Sequence, residues 1–193
     1  FTEGGVATTH VRDGRDGTVR ASIPGELQGI VQLSEAGPPT LLVQDGLDLN
    51  GYRFSDFSAV PPPAFTLPAS SLLDRFDRGA YAQQSLANVP LTVPLPGSTR
   101  GLVVLEGDTL KLWDLSGSTP VMAGSYALPP NVTAVAVASQ VDASRPGPGA
   151  LLVRSDGFLV VLDRTLAAIN FGGAEIPLPG IRTGGYYSGD HGL

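Results

Sequence analysis

The sequence predicts an all-β fold built from repeated antiparallel units, on three observations. First, the stretch Leu102 to Pro129 matches Leu41 to Pro68 without a gap: Leu102 falls on Leu41, Gly107 on Gly46, Leu110 on Leu49, Trp113 on Tyr52, Ser116 on Ser55 and Leu128-Pro129 on Leu67-Pro68. A third copy runs from Leu151 to Pro179, with Leu151 on Leu102, Asp163 on Asp114 and one extra residue in the turn before Gly157. Self-similarity of this kind marks a repeat architecture. Second, the 193 residues include 25 Gly and 17 Pro, which helices tolerate poorly and turns between short strands use at most junctions. Third, the strands alternate with apolar residues on both faces. Leu110, Leu112 and Asp114 face one way, and Lys111, Trp113 and Leu115 the other. Such a strand belongs to a sheet packed on both sides.

In chain order, Val6 to Val11 and Thr18 to Ile23 flank the cluster Asp13-Gly14-Arg15-Asp16-Gly17 and read as a hairpin, so the chain begins inside a repeat. Gln28 to Ser34 and Thr133 to Ser139 are expected to be the innermost strands of their units, each followed by a polar loop, Glu35 to Pro39 and Gln140 to Gly149. Within each copy the pattern is strand, Gly turn, strand, loop, strand. The copies start unevenly at 41, 102 and 151, which places an insertion at Ser70 to Leu86. Ser71 lies three residues ahead of Asp74, Leu72, Leu73 and Phe76 share one side, and Gly79 would stop the segment, so a short helix is expected near 70–79. Units are expected to end near Pro24, Pro68, Pro129 and Pro179, and 1–193 is expected to form a single domain belonging to a longer chain. The tail from Gly180 to Leu193 starts as another innermost strand would.

Units of this size recurring along a chain are expected of propeller blades. The stretch Thr109 to Ser116, TLKLWDLS, resembles the end of a Trp-Asp propeller repeat, with Trp113-Asp114 as its namesake pair. Tyr52-Arg53 and Leu162-Asp163 replace that pair in the other copies, so the resemblance implies only the architecture, a β-propeller-like array of antiparallel blades. A sandwich or barrel is the alternative.

Composition narrows the function. The formal charge of -6 repels phosphate backbones, so no nucleic acid partner is expected. The uncharged run from Leu115 to Val141 is broken by Pro120, Pro129 and Pro130, and no membrane span is expected. Cysteine is absent, which excludes disulfides, thiolate metal sites and a Cys nucleophile.

No catalytic, cofactor-binding or metal-binding residue is assigned. His10 and His191 are the only histidines; zinc sites want three or four ligands at set spacings and copper or non-haem iron sites two or three histidines, so each is expected to be a surface or packing residue. Asp45, Asp48 and Asn50, and Asp13 with Asp16, put oxygens near Gly turns as calcium loops do, but without the register that ends in a bidentate carboxylate. They read better as hairpin turns using Asp. Trp113, Tyr52, Tyr81, Tyr126, Tyr186 and Tyr187 are candidates for an interaction surface, with blade packing the stronger reading for Trp113 and Tyr52. Asn131-Val132-Thr133 fits a glycosylation acceptor. The expected function is a non-catalytic, extracytoplasmic module, secreted, periplasmic or at the cell surface, that binds protein partners or serves as a subunit of a cell-envelope assembly. The alternative is a propeller enzyme, of hydrolase or dehydrogenase type, whose site lies over a central channel and uses the loops Asp13 to Gly17 and Gln140 to Gly149.

Overall fold

The aligned glycines set the hairpins. Gly46, Gly107 and Gly157 take φ values of 59°, 62° and 86°, a left-handed conformation that a residue with a Cβ adopts only at a cost. In the first two, the glycine opens a two-residue loop between directly paired residues, Asp45 with Asp48 and Glu106 with Thr109. The third loop carries the extra residue, and the Gly157 amide donates to Arg154 O at 3.0 Å.

The structure, a computed structural model, describes residues 2–3, 6–55, 59–68, 70–72, 91–96, 99–139, 149–169 and 176–177. Their strands are β1 (Thr2–Glu3), β2 (Val6–Arg12), β3 (Val19–Pro24), β4 (Glu26–Val31), β5 (Thr40–Asp45), β6 (Asp48–Arg53), β7 (Phe65–Pro68), β8 (Ser70–Leu72), β9 (Thr92–Leu95), β10 (Thr99–Glu106), β11 (Thr109–Asp114), β12 (Val121–Ala127), β13 (Ala134–Ser139), β14 (Ala150–Arg154), β15 (Phe158–Leu162) and β16 (Ile176–Pro177). They form four antiparallel sheets, each following chain order. The first is β1-β2-β3 and the second β4-β5-β6-β7. In the third, β8 and β9 share the outer side of β10, with β11 and β12 beyond it, and the fourth is β13-β14-β15-β16. The fold is therefore all-β, and β4 and β13 stand first, at one edge, in the orders of their sheets.

Period-two alternation sends neighbouring residues into different cores. Val43, Tyr52 and Phe54 of the second sheet pack with Ala21 and Ile23 of the first. Leu42, Leu49, Phe65 and Leu67, from the second sheet's other face, pack with Leu102, Val104 and Leu115 of the third sheet and its flank. Val103, Leu110 and Leu112 turn away from these to pack with Ala150, Leu152, Val160 and Leu162 of the fourth. The sheets thus stack in chain order, the forward face of each meeting the rear face of the next. Backbone bonds reinforce one junction: Arg100 N donates to Leu33 O at 2.9 Å beside a bridge between Ser34 and Thr99.

Two expectations are corrected. Near 70–79 no helix is seen: Ser70–Leu72 is strand β8, with Leu72 opposite Val104, Ser71 opposite Leu105 and Ser70 opposite Glu106. Pairing along the open side of β10 and packing of Leu72 against the core between the second and third sheets outweigh the local capping pattern. Residues 73–79 lie outside the described residues. The strand line resumes at Leu91, whose carbonyl accepts from Val103 N at 3.0 Å, next to the Leu72–Val104 pair. The insertion therefore interrupts a single strand line, which accounts for the uneven spacing of the copies.

The third copy is also displaced by one residue in its first strand. Leu102 pairs with Trp113, and the corresponding pair in the fourth sheet is Ala150 with Leu162, so Ala150, not Leu151, stands in the place of Leu102. A one-residue slip exchanges the faces. Leu152 accordingly looks back towards the third sheet and Leu151 looks forward. Among the described residues the four sheets do not join edge to edge into a closed ring.

The two-faced packing predicts which substitutions couple. Leu42→Ala and Val104→Ala share one core and are expected to show a coupling of about 0.5 kcal/mol or more, whereas Leu42→Ala and Val103→Ala, in different cores, add within ~0.5 kcal/mol. Urea unfolding of the single and double variants measures both.

Candidate functional site

Three places bring polar or exposed apolar groups together. An open groove of about 720 Å³ lies where β2 meets the start of β4, lined by Ala7, Thr8, Thr9, His10, Arg12, Glu26 and Leu27. Thr9 Oγ1 donates to Gly25 O at 2.9 Å, and Gly25 N donates to Ala7 O at 2.8 Å, so the chain reversal between the first two sheets forms one side. Gly25 has φ of 111°, and a Cβ there would sit 2.5 Å from Gln44 O. His10 Nδ1 lies 3.0 Å from Ser22 Oγ, and Arg12 donates to Gly17 O at 2.9 Å. The groove's ionisable groups thus include one histidine that shares a bond with a serine and one arginine held by its own hairpin. His191 lies outside the described residues.

The acidic turns bind their own backbone. Asp13 accepts from Arg15 N at 2.8 Å and from Arg20 at 2.7 Å, and these bonds hold its carboxyl below the usual range. Asp16 is lowered in the same way by the amide and hydroxyl of Thr18, at 2.9 and 2.7 Å. Asn50 does not join Asp45 and Asp48 at the turn, because its side-chain oxygen accepts from Thr66 Oγ1 at 2.7 Å. Among the described residues no three His, Asp or Glu side chains converge in a way that could hold a metal ion.

The repeated Asp has a repeated role. Asp114 accepts from Ser116 N at 2.9 Å and Ser116 Oγ at 2.7 Å, and Asp163 from Thr165 N and Oγ1, both at 2.7 Å, and from Ala167 N at 2.9 Å. Burial opposes ionisation of Asp163, but its three bonds outweigh that and hold the carboxyl low. Tyr52 is buried in the core between the first and second sheets, where burial, aided by Asp45, pushes its phenol up. Trp113 packs against the core between the second and third sheets, with its indole N–H buried and without a hydrogen-bond partner among the described residues. These two aromatics serve packing, as their matched repeat positions suggest. Tyr81, Tyr186 and Tyr187 lie outside the described residues.

Sequence reasoning missed Arg154, which is only 3% exposed and lies between the third and fourth sheets. Its guanidinium pairs with both Asp156 oxygens, donates to the Tyr126 hydroxyl at 3.3 Å and stands 5.4 Å from the Phe158 ring centre. The pair lowers the Asp156 carboxyl. The signal available was an Arg two residues before an Asp in the one turn that carries an insertion. Arg53, the residue in the place of Asp114, reaches forward to the Leu115 carbonyl and ties the second sheet to the chain just after β11.

The third place is the outer side of the third sheet, which sequence reasoning also missed. Among the described residues strand β12 pairs with β11 alone, and Val121 and Met122 are 60% and 54% exposed. Its seven residues, VMAGSYA, contain no charge and no proline. The other outer strands are guarded: β3 carries Arg20 and ends at Pro24, β7 ends at Pro68, and β16 has two described residues and ends at Pro177. Charge, proline and brevity are the usual means of blunting an edge.

No family model matches the chain, and no curated protein matches it. Among the described residues no helix is long and apolar enough to cross a membrane.

Depressed carboxyls make the junction of the third and fourth sheets sensitive to acid. Asp156 and Asp163 have folded values below the ordinary 3.8, so the stability they lend is complete above that value and is lost as pH falls through the lower folded values. Asp156→Asn is expected to cost about 2 kcal/mol near neutral pH, typical of a charge-assisted bond. It should also flatten the fall in stability between about pH 5 and about pH 2, measured by urea unfolding across that range.

Proposed function

We propose that the chain is a β-propeller-like, non-catalytic module that binds an extended segment of a protein partner along β12, as part of an extracytoplasmic, cell-envelope or surface assembly. The observation that carries this reading is the edge of β12: a seven-residue outer strand that pairs, among the described residues, with β11 alone, carries no charge, and has two adjacent exposed apolar side chains. Such an edge offers a row of hydrogen bonds for an added strand, with side-chain contacts for specificity. Isolated in solution, the same edge would favour aggregation, so a protein that keeps it has a use for it or a cover over it.

The propeller element is supported by the directional stack of meandering sheets and by the first sheet, whose strands match the later part of a unit. The placement outside the cytoplasm rests on composition alone. The enzyme alternative draws less support, since the loop Asp13 to Gly17 directs both carboxylates into its own hairpin. Most of its second loop, Gln140 to Gly149, lies outside the described residues.

Selection of displayed peptides against the intact chain tests the reading. Extended apolar peptides are expected to bind and to slow amide hydrogen exchange in 121–127, and Met122→Glu should weaken them at least tenfold while the unfolding midpoint stays put. Binders that ignore Met122→Glu and protect a different surface would overturn it.

A further inference from the structure

The sequence holds a single sulfur atom. Cysteine is absent and methionine occurs once, as Met122. That side chain is 54% exposed near the start of β12. The register sets it opposite Trp113, so the two share a face of the third sheet with Cβ atoms about 5 Å apart. Trp113 packs inward against the core between the second and third sheets, and its indole N–H is buried.

The matching stretch of the second sheet is built differently. On the gap-free match Met122, Ala123 and Gly124 fall on Pro61, Pro62 and Pro63. Proline cannot donate to a ladder, and those three residues are not strand: β7 begins only at Phe65, whereas β12 begins at Val121. The third unit therefore exposes a thioether on a strand edge at a position where the second unit has no strand.

We infer that Met122 is an oxidation site that controls the β12 edge: a peroxide converts it to the sulfoxide, and the sulfoxide releases the bound strand. This rests on the reading of β12 given above. With hydrogen peroxide, the sulfur lone pair attacks one oxygen, an S–O bond forms and the O–O bond breaks. The proton of the transferred oxygen passes to the departing hydroxide, which leaves as water, so sulfur is oxidised and the peroxide reduced. Reaction follows exposure, and no thiol is present to react first.

The effect on binding follows from the chemistry of the edge. A strand laid along β12 takes the Met122 side chain out of water. A thioether loses little by that, whereas a sulfoxide oxygen is a polar acceptor that must give up its hydration. Its neighbours Val121 and Ala123 have no side-chain donor to replace the lost water. Sulfoxide reductases restore the thioether, so the change is reversible.

One sulfur in the sequence makes the test unambiguous. The 193-residue chain is treated with dilute hydrogen peroxide and titrated with a selected peptide that protects 121–127 from exchange in the untreated chain. Met122 is expected to gain one oxygen by mass, affinity for the peptide to fall at least about tenfold, and methionine sulfoxide reductases to restore both. Met122→Leu should gain no oxygen there and show the same affinity, whatever its value, before and after treatment. Equal affinity of the oxidised and untreated chains would overturn the inference and leave peptide binding at β12 intact. So would an equal loss in Met122→Leu, or a Met122 that stays unoxidised under conditions that oxidise free methionine. If no peptide protects 121–127, the reading of β12 itself falls, and this control falls with it.

Discussion

Both faces of each interior sheet must be buried at once. A strand such as Leu41 to Val43 places Leu42 on one side and Leu41 and Val43 on the other, and no fold with a single core can satisfy both sets. Stacking sheet on sheet satisfies them, because each apolar face becomes the cover of the next. The short connections, a single residue between β3 and β4 and again between β7 and β8, set each of these sheets beside the next. The cores between the sheets are therefore the stabilising contacts. The hairpins within each sheet define which residues reach them.

That constraint explains where the polar groups sit. Glu106, at the end of β10, pairs with Lys111 at 2.7 Å on a partly exposed rim. The residue in its place in the fourth sheet is Arg154, which is buried and would be costly without a carboxylate and further donors' acceptors around it. The longer third turn supplies the carboxylate as Asp156. One added residue thus has two effects: it shifts β14 by one position relative to the sequence match, and it provides the anion that lets a guanidinium lie between two sheets. Neither effect is intelligible without the other, since the shift is what turns residue 154 inward.

Much of this was legible in the residues. The repeat, the turn glycines, the two-faced strands and the recurring Asp depend on local patterns, and local patterns are what a sequence displays. At Ser70–Leu72 a strand stands where the capping pattern suggests the start of a helix, because that pattern is local while the side of β10 that Ser70–Leu72 pairs with is set by a strand some thirty residues on. The position of Leu151 was misread because matching Leu to Leu scores identity, whereas the structure conserves pairing, and Ala150 opposite Leu162 is the pair that fits. The burial of Arg154, whose one sign in the sequence is Asp156 two residues on, and the exposure of Val121 and Met122 depend on which neighbouring sheet covers which surface.

Two kinds of unfinished surface result, and their physics differs. An open sheet face offers apolar area, which is non-directional and is best covered by whatever is tethered closest, because the tether has already reduced the entropy of bringing it there. An open sheet edge offers a row of donors and acceptors with fixed spacing, which only another extended backbone can match. The forward face of the fourth sheet, where Leu151 and Ile176 are exposed, is a surface of the first kind. The edge of β12 follows a different logic. The chain beyond it passes through the loop at Pro129 to the next sheet, with Leu128 N held by Asp108 O at 2.8 Å, and so is led away from the edge it leaves behind. Among the described residues no further strand pairs with β12, and the absence of charge along VMAGSYA leaves nothing on that strand to repel the separate polypeptide proposed to bind there.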